Sequence, residues 1–154
     1  MSIVLSRAEA KDAAKLTEVA FTAKRHWGYP ESWMARWSSA LAISPDFLSK
    51  HPTFVAKENQ EIVGFATVRV EGSEGWIDHL WVKPEAMRRG IGRALFTECE
   101  SHARAVGLLR LKMEADPHAE AFYARMGARV FQQVPASMDG APRFLPLMEK
   151  SLGL

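Results

Sequence analysis

The sequence predicts a single α/β domain, and three observations carry that expectation. Segments with helical apolar spacing alternate with short extended apolar runs from one end of the chain to the other. Of the 154 residues, 47% are hydrophobic and 25% charged, the balance of a folded domain rather than a disordered one. At ~100–200 residues per domain, that length accommodates one. No repeat, low-complexity tract or linker divides residues 1–154. The lone cysteine, Cys99, excludes a disulfide framework and fits a reducing compartment. No apolar run approaches the ~20 residues of a membrane span. The first residues lack the basic start and hydrophobic stretch of a signal peptide, so a cytoplasmic location with no membrane partner is expected. A net charge of +2 is too small to argue for nucleic acid.

The elements follow in order. Ile3, Val4 and Leu5 read as a first strand. Over residues 10–24, Ala13, Leu16 and Ala20 form the stripe of an amphipathic helix. Gly28 and Pro30 break it. A second helix over residues 31–42 carries Trp33, Met34 and Trp37, and Pro45 interrupts it. Residues 54–57 and 62–70, joined by a polar turn, read as an antiparallel hairpin, and residues 76–82 as the next strand. Residues 90–106 form a helix with Ile91, Leu95, Cys99 and Val106 on one face and Arg93, Thr97, Glu100 and Arg104 toward water; Gly107 closes it. Residues 108–113 are a strand. Asp116 caps a helix that Pro117 opens and Gly127 stops. Residues 128–134 and 144–149 supply the last strands.

Chemistry concentrates where the strand over residues 76–82 runs through a glycine-containing turn into the long helix. The first amides of a helix have no intrahelical partner, and its dipole places roughly half a positive charge there. Gly90 and Gly92 let an anion approach the backbone, and Arg88, Arg89 and Arg93 surround that point with positive charge. Such a turn also exists as a plain junction with solvated arginines. It matches neither the Walker A pattern nor the Rossmann fingerprint.

The segment VKPEAMRRGIGRALF, residues 82–96, resembles the acetyl-CoA-binding motif of the GNAT (Gcn5-related N-acetyltransferase) superfamily. DPHAEAFYARMGARV, residues 116–130, is similar to that family's second motif and follows at the usual spacing. Met87 departs from the family's Gln or Arg, Asp116 from its Asn, and Ala128 from its Phe. The resemblance implies the GNAT acyl-CoA N-acyltransferase fold, a mixed, mostly antiparallel sheet with helices on both faces. It implies acetyl-CoA as cofactor and transfer of acetyl to a primary amine, on a small molecule or a peptide, by direct attack in a ternary complex; a homodimer is compatible with it. The diphosphate is expected on the amides of Arg88, Arg89, Gly90, Ile91, Gly92 and Arg93, with Asp116 and Tyr123 further cofactor contacts. The pantetheine arm is expected beside Leu80, Trp81 and Val82 as an added strand. An amide near Leu80 or Trp81 would polarise the thioester carbonyl.

By the same resemblance Tyr123 is the candidate general acid and Asp78 or His79 the candidate base; an arginine partner for Asp78 and a packed His79 are the alternatives. Consecutive strand residues face opposite sides, so both reach the gap only if a bulge re-aims the chain. Phe122 and Met126 are expected in the core. Trp27 and Tyr29, with Trp33 and Trp37, cluster where the family builds its acceptor pocket, suiting an amine with an apolar or cationic group. At least two of these aromatics are expected in the core instead. Arg143 pairs with an acceptor carboxylate or lies in solvent. Cys99 reads as a buried, inert thiol, and the five histidines give no metal-ligand spacing. Another acyl donor, a hydroxyl acceptor, a non-catalytic CoA-binding module and arginine-mediated nucleic-acid binding are the competing readings.

Overall fold

β-Branched and aromatic runs separated by polar or glycine-bearing turns suit a pleated, half-buried surface. In the computed structural model, which describes residues 2–153, seven of them join one sheet. These are β1 (Ile3–Arg7), β2 (Thr53–Glu58), β3 (Glu61–Glu71), β4 (Glu74–Val82), β5 (Arg110–Glu114), β6 (Arg129–Pro135) and β7 (Phe144–Ser151). Their spatial order is β1-β2-β3-β4-β5-β7-β6, and every neighbouring pair is antiparallel except β4 with β5.

Alternation along the strands feeds two cores. On one face, Val55 and Phe65 meet Leu16, Val19, Ala20, Met34 and Leu41 from α1 (Ala13–Arg25), α2 (Glu31–Arg36) and α3 (Ser38–Leu41), with α4 (Pro45–Lys50) at the side. On the other, Ala66, Val68, Leu111, Met113 and Met148 meet Leu95, Phe96 and Cys99 of α5 (Ile91–Ala105) and Tyr123 of α6 (Glu120–Arg125). The mixed, mostly antiparallel sheet covered on both faces is the architecture expected. Among the described residues no helix is long and apolar enough to cross a membrane.

Several local expectations are corrected. The helix expected over residues 31–42 is two short ones meeting at Trp37. Pro45 does not merely interrupt: it opens α4, with the Ser44 hydroxyl accepting from the Phe47 amide at 3.0 Å. On α5, Val106 lies beyond the last turn and is exposed, while Phe96 and Ala103 complete the buried stripe. Glu100, expected in water, is buried because Lys150 of β7 reaches across and holds its carboxylate at 2.7 Å.

The parallel pairing of β4 with β5 covers only Glu74, Gly75 and Trp76 against Arg110, Leu111 and Lys112. Beyond it the strands diverge, β5 staying on β7 and β4 on β3. Along residues 77–82, the β4 backbone groups facing the gap have no strand partner among the described residues.

Candidate active site

β4 ends at Val82, a 3₁₀ turn over Pro84–Ala86 follows, and the chain then reverses into α5. Two residues of that reversal hold positive φ, Arg88 at 62° and Gly90 at 81°. At Gly90 any side chain would be strained, which is why glycine stands there. The first helical bond is from the Ala94 amide to the Gly90 carbonyl at 3.0 Å, and the amides of residues 90–93 donate to no described backbone group. A Cβ on Gly92 would sit 3.3 Å from the Phe122 ring and 3.8 Å from Leu80. The turn therefore offers the unpartnered amides and close approach that an anion requires. Arg88 and Arg93 are exposed beside it. Arg89 instead reaches Glu58 of β2, Nη1 to Oε1 at 3.2 Å.

This turn and the β4 edge open into one cleft of about 1020 Å³. Lys24, Arg88, Arg93, Arg125 and Arg143 outnumber Asp78, Glu114 and Asp116 along its walls. An unpaired extended edge leading to positive, unpartnered amides suits a long ligand with an extended arm and a phosphate-bearing end.

β4 carries a bulge at the centre of the cleft. Thr67 pairs with His79 and Val68 with Ile77, so Asp78 is the extra residue. The insertion puts Ile77 with Val82 and Leu80 toward the α5 core. The His79 ring packs against Phe47 and Phe65 at 5.6 and 5.8 Å. The Asp78 carboxylate accepts from Arg69 Nε at 2.8 Å, the arginine pairing weighed above. His79 Nδ1 accepts from Trp81 Nε1 at 3.0 Å, and burial pulls the imidazole down to about 4, leaving it neutral near pH 7. Across the gap, Tyr123 is buried against Phe96 and Phe122, yet its ring lines the cleft and its hydroxyl makes no hydrogen bond to a described residue. Burial, with Cys99 and Asp116 adding to it, raises this phenol well above its usual range, so it stays protonated. Phe122 and Met126 are half-buried, packed on the core with one side toward the cleft. Burial pushes the Cys99 thiol up to about 12, which leaves it inert.

A polar cluster closes the far wall. Asp116, expected among cofactor contacts, accepts from Lys24 Nζ at 3.0 Å, from the Tyr29 hydroxyl at 2.9 Å and from the His118 amide at 2.9 Å. Burial alone would raise the Asp116 carboxyl, but Lys24 and the His118 amide hold it below the usual carboxylate range. Burial also lowers the Lys24 ammonium, with Asp116 opposing, and pushes the Tyr29 phenol up to about 12. Trp27 is exposed and stacks on the His118 ring at 4.7 Å. Tyr29 and Trp37 are half-buried against the core. The expectation that these aromatics receive a cationic acceptor meets an obstacle. Lys24 already sits 4.0 Å over Trp37 and 5.2 Å over Tyr29, and Arg143 lies 5.1 Å from the Trp37 ring.

Sequence reasoning singled out Arg143, Asp116 and Tyr29 separately, but not Lys24 or His118. For Lys24 a signal existed: it extends the stripe of Ala13, Leu16 and Ala20 by one more turn, placing a lysine where an apolar residue belongs. His118 gave none beyond standing beside a capping Asp116.

The chain matches the sequence pattern of the Acetyltransferase (GNAT) family over residues 14–128. Among solved structures it is similar to a GCN5-related N-acetyltransferase from Rhodopseudomonas palustris, with 26% identity and a TM-score of 0.81 over 98% of this chain and 96% of that one. The PaiA N-acetyltransferase from Thermoplasma acidophilum, solved in complex with coenzyme A, shares the fold at 22% identity, TM-score 0.79, over 98% of this chain and 99% of that one. A Salmonella typhimurium protein solved with its cofactor acetyl-CoA does so at 21% identity, TM-score 0.74, over 100% of this chain and 96% of that one. The matched region takes in both the turn that opens α5 and the Tyr123 segment, and the fold agrees throughout, so the chain belongs to the GNAT family of acetyltransferases.

Proposed function

We propose that this chain moves an acetyl group from acetyl-CoA to the primary amine of an acceptor, by direct attack with both substrates bound. The observation that carries the reading is the divergence of β4 from β5, which leaves a free strand edge leading to the unpartnered amides opening α5. When bound, acetyl-CoA supplies an acetyl group activated as a thioester and leaves as a thiol. The amides of residues 90–93 hold the diphosphate, with Arg88 and Arg93 adding charge. The β4 edge at Leu80, Trp81 and Val82 orients the extended arm by strand-like pairing. A backbone amide near Leu80 or Trp81 donates to the carbonyl oxygen as it gains charge; a contact of this kind is worth ~3–4 kcal/mol. Asp78, at the bulge, takes the proton that the attacking ammonium must lose, directly or through water. Tyr123, held protonated by burial, gives its proton to the sulfur as the carbon–sulfur bond breaks, and the second proton that the nitrogen sheds on becoming an amide restores the phenol. His79, neutral and hydrogen-bonded to Trp81, steadies the strand at this point.

A thiol-release assay with acetyl-CoA over a panel of primary amines tests the reading, with calorimetric titration of acetyl-CoA alongside. Binding with amine-dependent thiol release is the expected result. Tight acetyl-CoA binding without release for any amine would replace the transferase by a coenzyme-binding module.

A further inference from the structure

The geometry points to an acceptor that carries a carboxylate close to its amine, an amino acid with an apolar side chain, gripped by the guanidinium of Arg143. This rests on the transferase reading for the identity of the bound molecule as the acceptor, though not for the existence of the site.

The Arg143 side chain is only 10% exposed. A guanidinium has five N–H donors, yet this one makes a single hydrogen bond to a described residue, from Nη2 to the Tyr29 hydroxyl at a long 3.4 Å. It forms an ion pair with Asp116, but a loose one at 3.8 Å, outside hydrogen-bond range, and that carboxylate is already engaged by Lys24, Tyr29 and His118. Trp37, Tyr29 and Trp33 lie 5.1, 5.5 and 6.0 Å from its central carbon and keep it in place. Buried charge with most of its donors unused is costly. A planar fork of this kind matches a carboxylate with two parallel bonds.

Position and charge narrow the ligand. Arg143 lines the same cleft as the β4 edge, and Lys24 bridges the two, 5.9 Å from the Trp81 ring of β4. The ring faces that would attract a second cation are occupied by Lys24 and Arg143, so a cationic side chain on the acceptor would meet like charge. What the wall still offers is aromatic surface from Trp27 and the uncovered part of Trp37, beside a guanidinium with most of its donors unused. Glu114, the other acid on this side, is exposed and makes no ion pair with Arg143. Aromatic surface and a fork with most of its donors unused together select an apolar side chain and a carboxylate.

The test compares phenylalanine, tryptophan, leucine and methionine with their carboxamides, by thiol release on the wild-type chain, Arg143→Gln and Arg143→Lys. The free acids are expected to exceed their amides in kcat/KM by about tenfold or more. That preference should vanish in Arg143→Gln and survive only in part in Arg143→Lys. Equal use of acids and amides overturns the proposal while leaving the transferase intact. So does a loss in Arg143→Gln that falls on acetyl-CoA affinity instead, since the guanidinium would then serve a coenzyme phosphate. Calorimetry of the same acids and amides on protein saturated with coenzyme A gives a readout independent of turnover. Acid binding that disappears in Arg143→Gln upholds the site even if no thiol is released, and absence of acid binding to the wild type overturns it.

Discussion

The Tyr123 phenol is buried beside Phe96 and Phe122, and burial makes its anion costly, so the proton stays on the oxygen until a strongly basic thiolate forms beside it. Tyr123→Phe is expected to lower turnover by about 10²-fold, the lower end for loss of a positioned acid, with a much smaller change in acetyl-CoA affinity. Steady-state rates and calorimetry on one preparation check it, and wild-type turnover would remove the role. Burial acts on His79 in the opposite sense, lowering its imidazole from 6.5 to about 4. The unfolded chain then binds a proton that the folded chain refuses, so stability is lost as pH falls from about 6.5 toward 4. The total is on the order of 3 kcal/mol. Urea unfolding at pH 7 and pH 4 should show a steeper fall for the wild type than for His79→Phe, and parallel falls would dismiss the assignment. Positions set by a local motif, Gly90 at the start of α5 and Tyr123 on the cleft wall, were legible in the sequence. Lys24 was legible only in part: its place on the apolar stripe marks it as unusual, but its partner Asp116 is 92 positions away and nothing local announces the pair.

Among the elements, α5 carries its own signals: a glycine start, a long apolar stripe and Gly107 as its stop. The first turns of this helix lie very close to the sheet. At Gly64 of β3 a Cβ would meet the Trp81 carbonyl at 2.9 Å and Leu95 and Ile91 of α5 at 3.2 and 3.3 Å. Gly64→Val should therefore push the first turn of α5 off the sheet and destabilise the fold by about 1–3 kcal/mol, as overpacked cores do. Its chemical-denaturation midpoint measures this. Gly92→Leu makes a different prediction, since its side chain meets the flexible edge of Phe122 in the cleft rather than backbone. Folding should hold while acetyl-CoA affinity falls at least about tenfold, and unchanged affinity would put the phosphates elsewhere. The less legible elements were α2, α3 and α4, each of six residues or fewer. Such lengths are marginal alone and form because tertiary packing supports them. The bulge at Asp78 was equally hidden, because it depends on the pairing of β4 with β3 and not on any residue type.

Taken whole, the sheet consists of two antiparallel parts, β1 to β4 and β5 to β7, joined by only three paired positions. A ligand lying along the free β4 edge would contact both parts, so binding should stabilise the entire fold. At acetyl-CoA concentrations near 100 times its dissociation constant, about 2.7 kcal/mol is expected. For a chain of this size that corresponds to a rise in Tm of about 5–10 °C, readable by calorimetry. No shift at millimolar coenzyme would contradict the site. The sheet's composition was legible from alternation, but its order was not, since β7 inserts between β5 and β6 and no local pattern announces that.

An uncovered strand edge ordinarily invites other proteins to extend the sheet and aggregate. Here that vulnerable margin is sunk mid-molecule, with Phe122 and Tyr123 on one bank and Trp37 and Lys24 on the other. A guest as slim as a single extended chain fits between those banks, whereas the broad border of a second molecule's sheet is shut out. The same recess that admits a thin ligand thus keeps this one edge from pairing with another sheet.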